Sequence, residues 1–170
     1  MTKKLLRRPV NLAMNINFLN PVREDSPEIF TLIKRSPPLD LNSRYAYMLV
    51  ATHFANTSIV AKVDGRIVGV VSAYCLPNKP ETLFVWQVAV DKSMRGQGLA
   101  KQLIEQALMK APQARWIETT ITPSNSPSQK LFKSIASKLG TTMEVIPFLP
   151  KVLFGEDAHE DEDLYRIGPF

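Results

Sequence analysis

The segment from Val88 to Ala100 constrains this chain more than any other, because an apolar strand there runs through a glycine-containing turn directly into a helix. Arg95, Gly96, Gln97, Gly98, Leu99 and Ala100 put glycines where backbone N–H groups must approach a ligand closely. They also put a small residue where the helix must sit tight against a sheet. The first helical turn then offers unpaired N–H donors at the positive end of its dipole. An anion fits such a place, most simply a pyrophosphate. The segment lacks the Gly-Lys-Ser/Thr of a Walker loop and the three spaced glycines and later acid of a dinucleotide fingerprint.

Around this segment the pattern predicts a strand at Asn15–Leu19 and a helix opened by Ser26 and Pro27, with Ser26 as its cap, ending before Pro37. Asn42 or Ser43 caps a second helix through Arg44–His53, with Tyr45, Met48, Leu49 and Thr52 on one face. Strands at Ser58–Val63 and Ile67–Cys75 flank Asp64-Gly65, a dipeptide favouring a two-residue hairpin turn. Thr82–Val90 reads as a central strand, Gly98–Ala111 as a helix and Arg115–Ile121 as a strand. Ser126 and Pro127 open a helix that Gly140 closes, and short strands follow around Val145 and Leu164–Ile167. This order indicates an α/β chain of the α+β type, with a mixed sheet in a single domain over residues 15–170.

Charge and cysteine content exclude several classes. Four of the 21 Lys and Arg lie in the first eight residues, leaving 17 against 16 acidic side chains, so residues 1–14 read as a flexible basic arm on a nearly neutral body. The arm has no interleaved aromatics for base stacking, and the basic excess of Asp91–Lys138 suits a multiply negative small molecule, so nucleic acid is not the expected partner. Cys75 stands mid-strand and reads as buried, and its thiol has no metal-ligand spacing to His53 or His159, so no metal is expected. No apolar run is long enough to span a bilayer, and a cytoplasmic protein is expected.

The segment around Arg95, Gly98 and Ala100 resembles motif A of the GNAT acetyltransferases, and the stretch from Asn125 to Phe132 resembles their motif B. The resemblance implies a GNAT fold of about seven mostly antiparallel strands and four helices, splayed between strands four and five. It implies acetyl-CoA as co-substrate, bound by Val88, Val90, Arg95, Gly96, Gln97, Gly98, Leu99, Ala100 and Asn125. Many members carry a tyrosine acid where this chain has Phe132, which has no proton to donate.

Further stretches, including Pro38–Tyr45, Leu83–Val90, Glu118–Asn125, His159-Glu160 and Arg166–Pro169, are similar to one family, the L-2,4-diaminobutyrate acetyltransferases of ectoine biosynthesis. That resemblance implies acetyl transfer to the γ-amine of L-2,4-diaminobutyrate and a homodimer. A substrate with two ammonium groups and one carboxylate calls for acids and a cation. Asp40, Arg44 and Trp86 are the expected substrate contacts, and Glu160 and His159 the catalytic pair, with the base open between them and a water relay. Each also has a structural reading: Asp40 as a turn cap, Arg44 as a surface side chain, Trp86 as core, and His159 and Glu160 as parts of a solvated acidic loop. Another primary amine as acceptor, and a CoA-binding domain without activity, remain as alternatives.

Overall fold

In the computed structural model, residues 15–156 and 159–170 are described; the basic arm at 1–14 lies outside them. Seven strands form one sheet: β1 (Asn17–Leu19), β2 (Ile59–Val63), β3 (Arg66–Leu76), β4 (Lys79–Val90), β5 (Trp116–Ile121), β6 (Met143–Leu149) and β7 (Glu162–Ile167). Their spatial order is β1-β2-β3-β4-β5-β7-β6, and every neighbouring pair is antiparallel except β4 with β5. Four α-helices cover the sheet: α1 (Ser26–Lys34), α2 (Arg44–Val50), α3 (Leu99–Met109) and α4 (Ser126–Leu139).

Strand alternation sorts the core into two layers. Ala61, Val71, Leu83 and Val85 pack against Leu103 and Ile104 of α3 and Ile135 of α4, while Val60, Val70 and Ala89 meet Ile29 and Ile33 of α1 and Tyr47 of α2. Gly69 lets α3 approach β3, since a Cβ there would stand 2.9 Å from Leu103 Cδ1. The Asp64-Gly65 turn adopts positive φ at both residues (49° and 80°), as the sequence predicts for a tight hairpin.

Two local expectations need correction. Ser26 does not cap α1: its Oγ donates to Arg23 O (2.7 Å), and Asp25 precedes the helix, accepting from Val22 N–H (3.0 Å) and Lys62 Nζ (2.7 Å). Ser43 does cap α2, accepting from Ala46 N–H (3.2 Å), but the helix stops at Val50 and buries Tyr47 and Val50 while Tyr45 and Met48 face solvent. A helix of seven residues has too few turns for periodicity to choose a face. Contact with α1 chooses it, through an edge-on packing of Phe30 and Tyr47 with ring centroids 5.9 Å apart.

The functional feature of the fold is where the sheet opens. β4 and β5 pair only through Thr82, Leu83 and Phe84 with Trp116, Ile117 and Glu118; past that point they diverge. β4 continues to Val90 along β3, and β5 continues to Ile121 along β7. The cleft between them is the one the GNAT resemblance implies.

Candidate active site

A β-bulge decides what faces the cleft. Ser72 pairs with Gln87 and Ala73 with Val85, so Trp86 is an extra residue in β4. The N–H groups of Gln87 and Asp91 point to β3, donating to Ser72 Oγ (3.1 Å) and Val68 O (2.9 Å). Alternation therefore turns the N–H groups of Val88 and Val90 toward the open side, where an extended ligand chain has a strand edge to pair with.

Val88, Val90, Arg95, Ala100 and Asn125 line a cavity of about 410 Å³ in this cleft. At its end the turn reverses through Gly96 and Gly98, with φ of 76° and 75°, and the space where a Cβ would point is open at both. Arg95 Nε donates to Val90 O (3.1 Å), which holds the guanidinium across the strand end. Leu99 is a core residue and offers the cleft only its backbone at the first turn of α3. Asn125 caps α4, its Oδ1 accepting from Ser128 N–H (3.2 Å).

A second cavity, of about 450 Å³, lies on the opposite side of Asn125, which lines both, as do Pro38 and Leu39. Asp40, Trp86, Gln87, His159, Glu160 and Glu162 are among its walls. The chain thus brings Asp40, from the α1–α2 loop, beside residues more than a hundred positions later. His159 Nε2 stands 3.1 Å from Asp40 Oδ2 and 3.7 Å from Glu162 Oε1, its Nδ1 lies 2.6 Å from Glu160 O, and its ring stacks on Phe154 at 3.8 Å. The carbonyl of Glu160 and the carboxylates of Asp40 and Glu162 raise the His159 pKa above its ordinary value. With both ring nitrogens set to donate, the imidazolium is the form this geometry favours.

Glu160 has a different setting. Its two carboxylate oxygens accept from Ser124 Oγ and from Ser124 N–H (3.2 Å), tying the loop before β7 to the turn that presents Asn125. Asp40, His159 and Glu162 each offer one atom within 4.8 Å of the others, the one such group with metal-ligand geometry among the described residues. The same spacing of anionic oxygens suits an ammonium group.

Arg44 does not join this cavity. Its guanidinium lies over the Phe30 ring, 4.1 Å from the centroid, leaving His159 as the only cationic side chain among the described cavity walls. Cys75 lies outside both cavities and is half-buried rather than sealed; burial raises its thiol pKa, and Gln113 Nε2 donates to its sulfur (3.1 Å). Phe132 is 2% exposed and belongs to the core. Glu162 and Gln87 are among the wall residues that the sequence does not single out. Glu162 lies in an acidic run that gives no sign of which carboxylate turns inward, and the Gln87 signal is hidden by the bulge.

The open parallel pair, the glycine turn and the paired cavities define an acyl-CoA-dependent transferase of the GNAT type. The model of the acetyltransferase (GNAT) family matches residues 20–136. L-2,4-diaminobutyric acid acetyltransferase of Virgibacillus pantothenticus is 44% identical over 151 residues, 88% of this chain and 95% of that protein. The enzyme of the same description from Marinococcus halophilus is 44% identical over 92% of this chain and 91% of its own length. Diaminobutyrate acetyltransferase EctA from Paenibacillus lautus, solved in complex with its substrate L-2,4-diaminobutyric acid and coenzyme A, superposes with a TM-score of 0.88 at 39% identity, covering 92% of this chain and 96% of that one. The ribosomal-protein-S18-alanine N-acetyltransferase of Escherichia coli shares the fold at 15% identity and a TM-score of 0.66. The chain belongs to the GNAT acetyltransferase family and, within it, to the L-2,4-diaminobutyric acid acetyltransferases.

Proposed function

We propose that this chain transfers the acetyl group of acetyl-CoA to the γ-amine of L-2,4-diaminobutyrate, giving the N4-acetyl product used in ectoine biosynthesis. The observation that carries this reading is the end-to-end likeness to a solved relative whose complex holds that substrate and coenzyme A. The cavity chemistry supports it. Three carboxylates and one imidazolium suit an acceptor with more ammonium groups than carboxylates.

The cofactor lies along β4, its pyrophosphate at the Gly96–Gly98 turn and first turn of α3, its pantetheine beside Val88 and Val90. The thioester then faces Trp86 and the acceptor cavity. Asp40 and Glu162 hold the substrate ammonium groups, the positive charge of His159 attracts its carboxylate, and Trp86 walls its aliphatic stem. An amine with a pKa near ~10.4 costs roughly 4–5 kcal/mol to deprotonate at pH 7, so a proton acceptor must stand beside it. Glu162, held in the cavity wall beside His159 and Asp40, is placed to take that proton.

The neutral amine attacks the thioester carbon, forming the N–C bond, and backbone N–H groups of the open strand edge stabilise the oxyanion. The C–S bond then breaks, and the new ammonium, which carries a surplus proton, supplies it to the departing thiolate. This route needs no tyrosine at position 132. It needs no acyl-cysteine either, since Cys75 is remote and its thiol is held protonated.

No helix among the described residues is long and apolar enough to cross a membrane, and the acetyl donor is an intracellular metabolite, so we place the enzyme in the cytoplasm. Val145, Ile146 and Phe148 of edge strand β6 and the adjoining Val152 and Leu153 are exposed apolar side chains beside Leu149 and Phe154 of the acceptor cavity. We assign this edge to a homodimer contact. A monomeric mass for the wild-type chain by light scattering would remove that assignment.

The deciding experiment is a thiol-release assay with L-2,4-diaminobutyrate, diaminopropionate and polyamines, the product position being assigned by NMR. Turnover of the diamino acid at its γ-amine is expected. Preference for a polyamine, or acetylation at the α-amine, would overturn the reading.

A further inference from the structure

Asp40 sits in a loop without regular structure between α1 and α2, and its carboxylate is exposed, so side-chain packing does not fix it. Its backbone is fixed from both sides. Gln87 Nε2 donates to Asp40 O (2.7 Å), and Asn42 N–H donates to Tyr47 Oη (3.1 Å). Tyr47 Oη in turn donates to Gln87 Oε1 (3.2 Å), and both side chains are buried.

The direction of these bonds is forced. Tyr47 Oη accepts the Asn42 proton and gives its own to Gln87, which leaves the Gln87 amide nitrogen to donate to Asp40. The three bonds form one chain from α2 through the bulged strand to the loop. Gln87 directly follows the bulged Trp86, so the distortion that aims Trp86 into the cavity also turns Gln87 toward α2 and away from α3.

We infer that Tyr47 and Gln87 are positioning residues for acetyl acceptance: together they pin the Asp40 loop so that its carboxylate meets His159 and the amine without an ordering cost at binding. The inference rests on the acceptor-site reading of Asp40. Its energetic basis is preorganisation: a loop held before the substrate arrives spares the complex the entropy of ordering it. The tie touches Asp40 and Asn42 only through the backbone, so its loss weakens amine binding while leaving the cofactor cleft intact.

The test is a double-mutant cycle of Tyr47→Phe and Asp40→Asn, with Gln87→Met as a second, independent break in the chain. Steady-state constants are measured for both substrates, together with Tm. Tyr47→Phe and Gln87→Met are expected to raise the amine KM about tenfold, with kcat and the acetyl-CoA KM within twofold. In the Asp40→Asn background Tyr47→Phe should add less than twofold. A general structural defect would instead lower Tm and kcat while leaving both KM values in place, and that result overturns the inference. So does an unchanged amine KM in Tyr47→Phe, or an equal fold-change in both backgrounds. An unchanged amine KM in Asp40→Asn alone overturns the acceptor-site reading, and the tie with it.

Discussion

The two cavities that meet at Asn125 are built on different principles. On the cofactor side one stretch supplies most of the proposed contacts: Val88 to Ala100 gives strand edge, turn and helix start within thirteen residues, presenting mainly backbone groups, with Pro38, Leu39 and Asn125 completing the walls. The acceptor side gathers Asp40, Trp86, Thr120, His159 and Glu162 from distant parts of the chain, and its binding groups are side chains. On the proposed reading, backbone donors recognise a feature common to every acyl-CoA, whereas side-chain carboxylates and an imidazolium recognise one acceptor. The fold itself is not tied to one acceptor, since the ribosomal-protein-S18-alanine N-acetyltransferase of Escherichia coli shares it at 15% identity.

This contrast is breakable. Glu162→Gln should cut kcat/KM for the amine by about a hundredfold, about 2.7 kcal/mol at 1.36 per decade, because it removes both the proton acceptor and an ammonium contact. Acetyl-CoA affinity by calorimetry should hold; a parallel loss of cofactor binding would show that the two halves are not separable. The reverse experiment is Gly98→Ala, which forces a Cβ into left-handed φ at a cost of about 1–2 kcal/mol. It should raise the acetyl-CoA KM roughly tenfold while the amine KM stays constant.

Glu160→Gln sharpens the boundary, because Ser124 links the acceptor loop to the turn of Asn125. The amide keeps an acceptor oxygen, so a loss of about threefold in kcat/KM for the amine is expected; a loss as large as that of Glu162→Gln would return Glu160 to the role of base. The smallest effect is on stability against pH. The His159 pKa is raised in the folded chain by the Glu160 carbonyl and then by Asp40 and Glu162. Its stabilisation is therefore complete below about pH 6.5 and fades as pH rises through the raised value. Tm of the wild type relative to His159→Gln should fall across that window, and a constant difference would show that His159 does not change charge there.

Legibility followed the same division. The order of strands and helices, the Asp64-Gly65 hairpin, and the start and stop of α4 at Ser126-Pro127 and Gly140 were readable, because each depends on local dihedral preference or on periodicity, although Asn125 and not Ser126 caps that helix. Asp40, Trp86, His159 and Glu160 were singled out through family resemblance, and the fold brings all four to one cavity. Arg44 was singled out with them, yet its guanidinium stacks on Phe30, since helix position alone does not say which neighbour a long side chain will meet. Glu162 was passed over because an acidic run looks alike at every member until a strand pairs.

The sequence by itself determined the strand, the glycine turn and the helix start that follows it, since these need only the φ freedom of Gly96 and Gly98 and the order of elements around them. Tertiary structure alone decided the bulge at Trp86, the exposure of Val88 and Val90 N–H groups to the cleft, and the company of His159. Those depend on pairing between residues far apart in the chain, where a shift of one position reverses every face, and no local preference encodes that register.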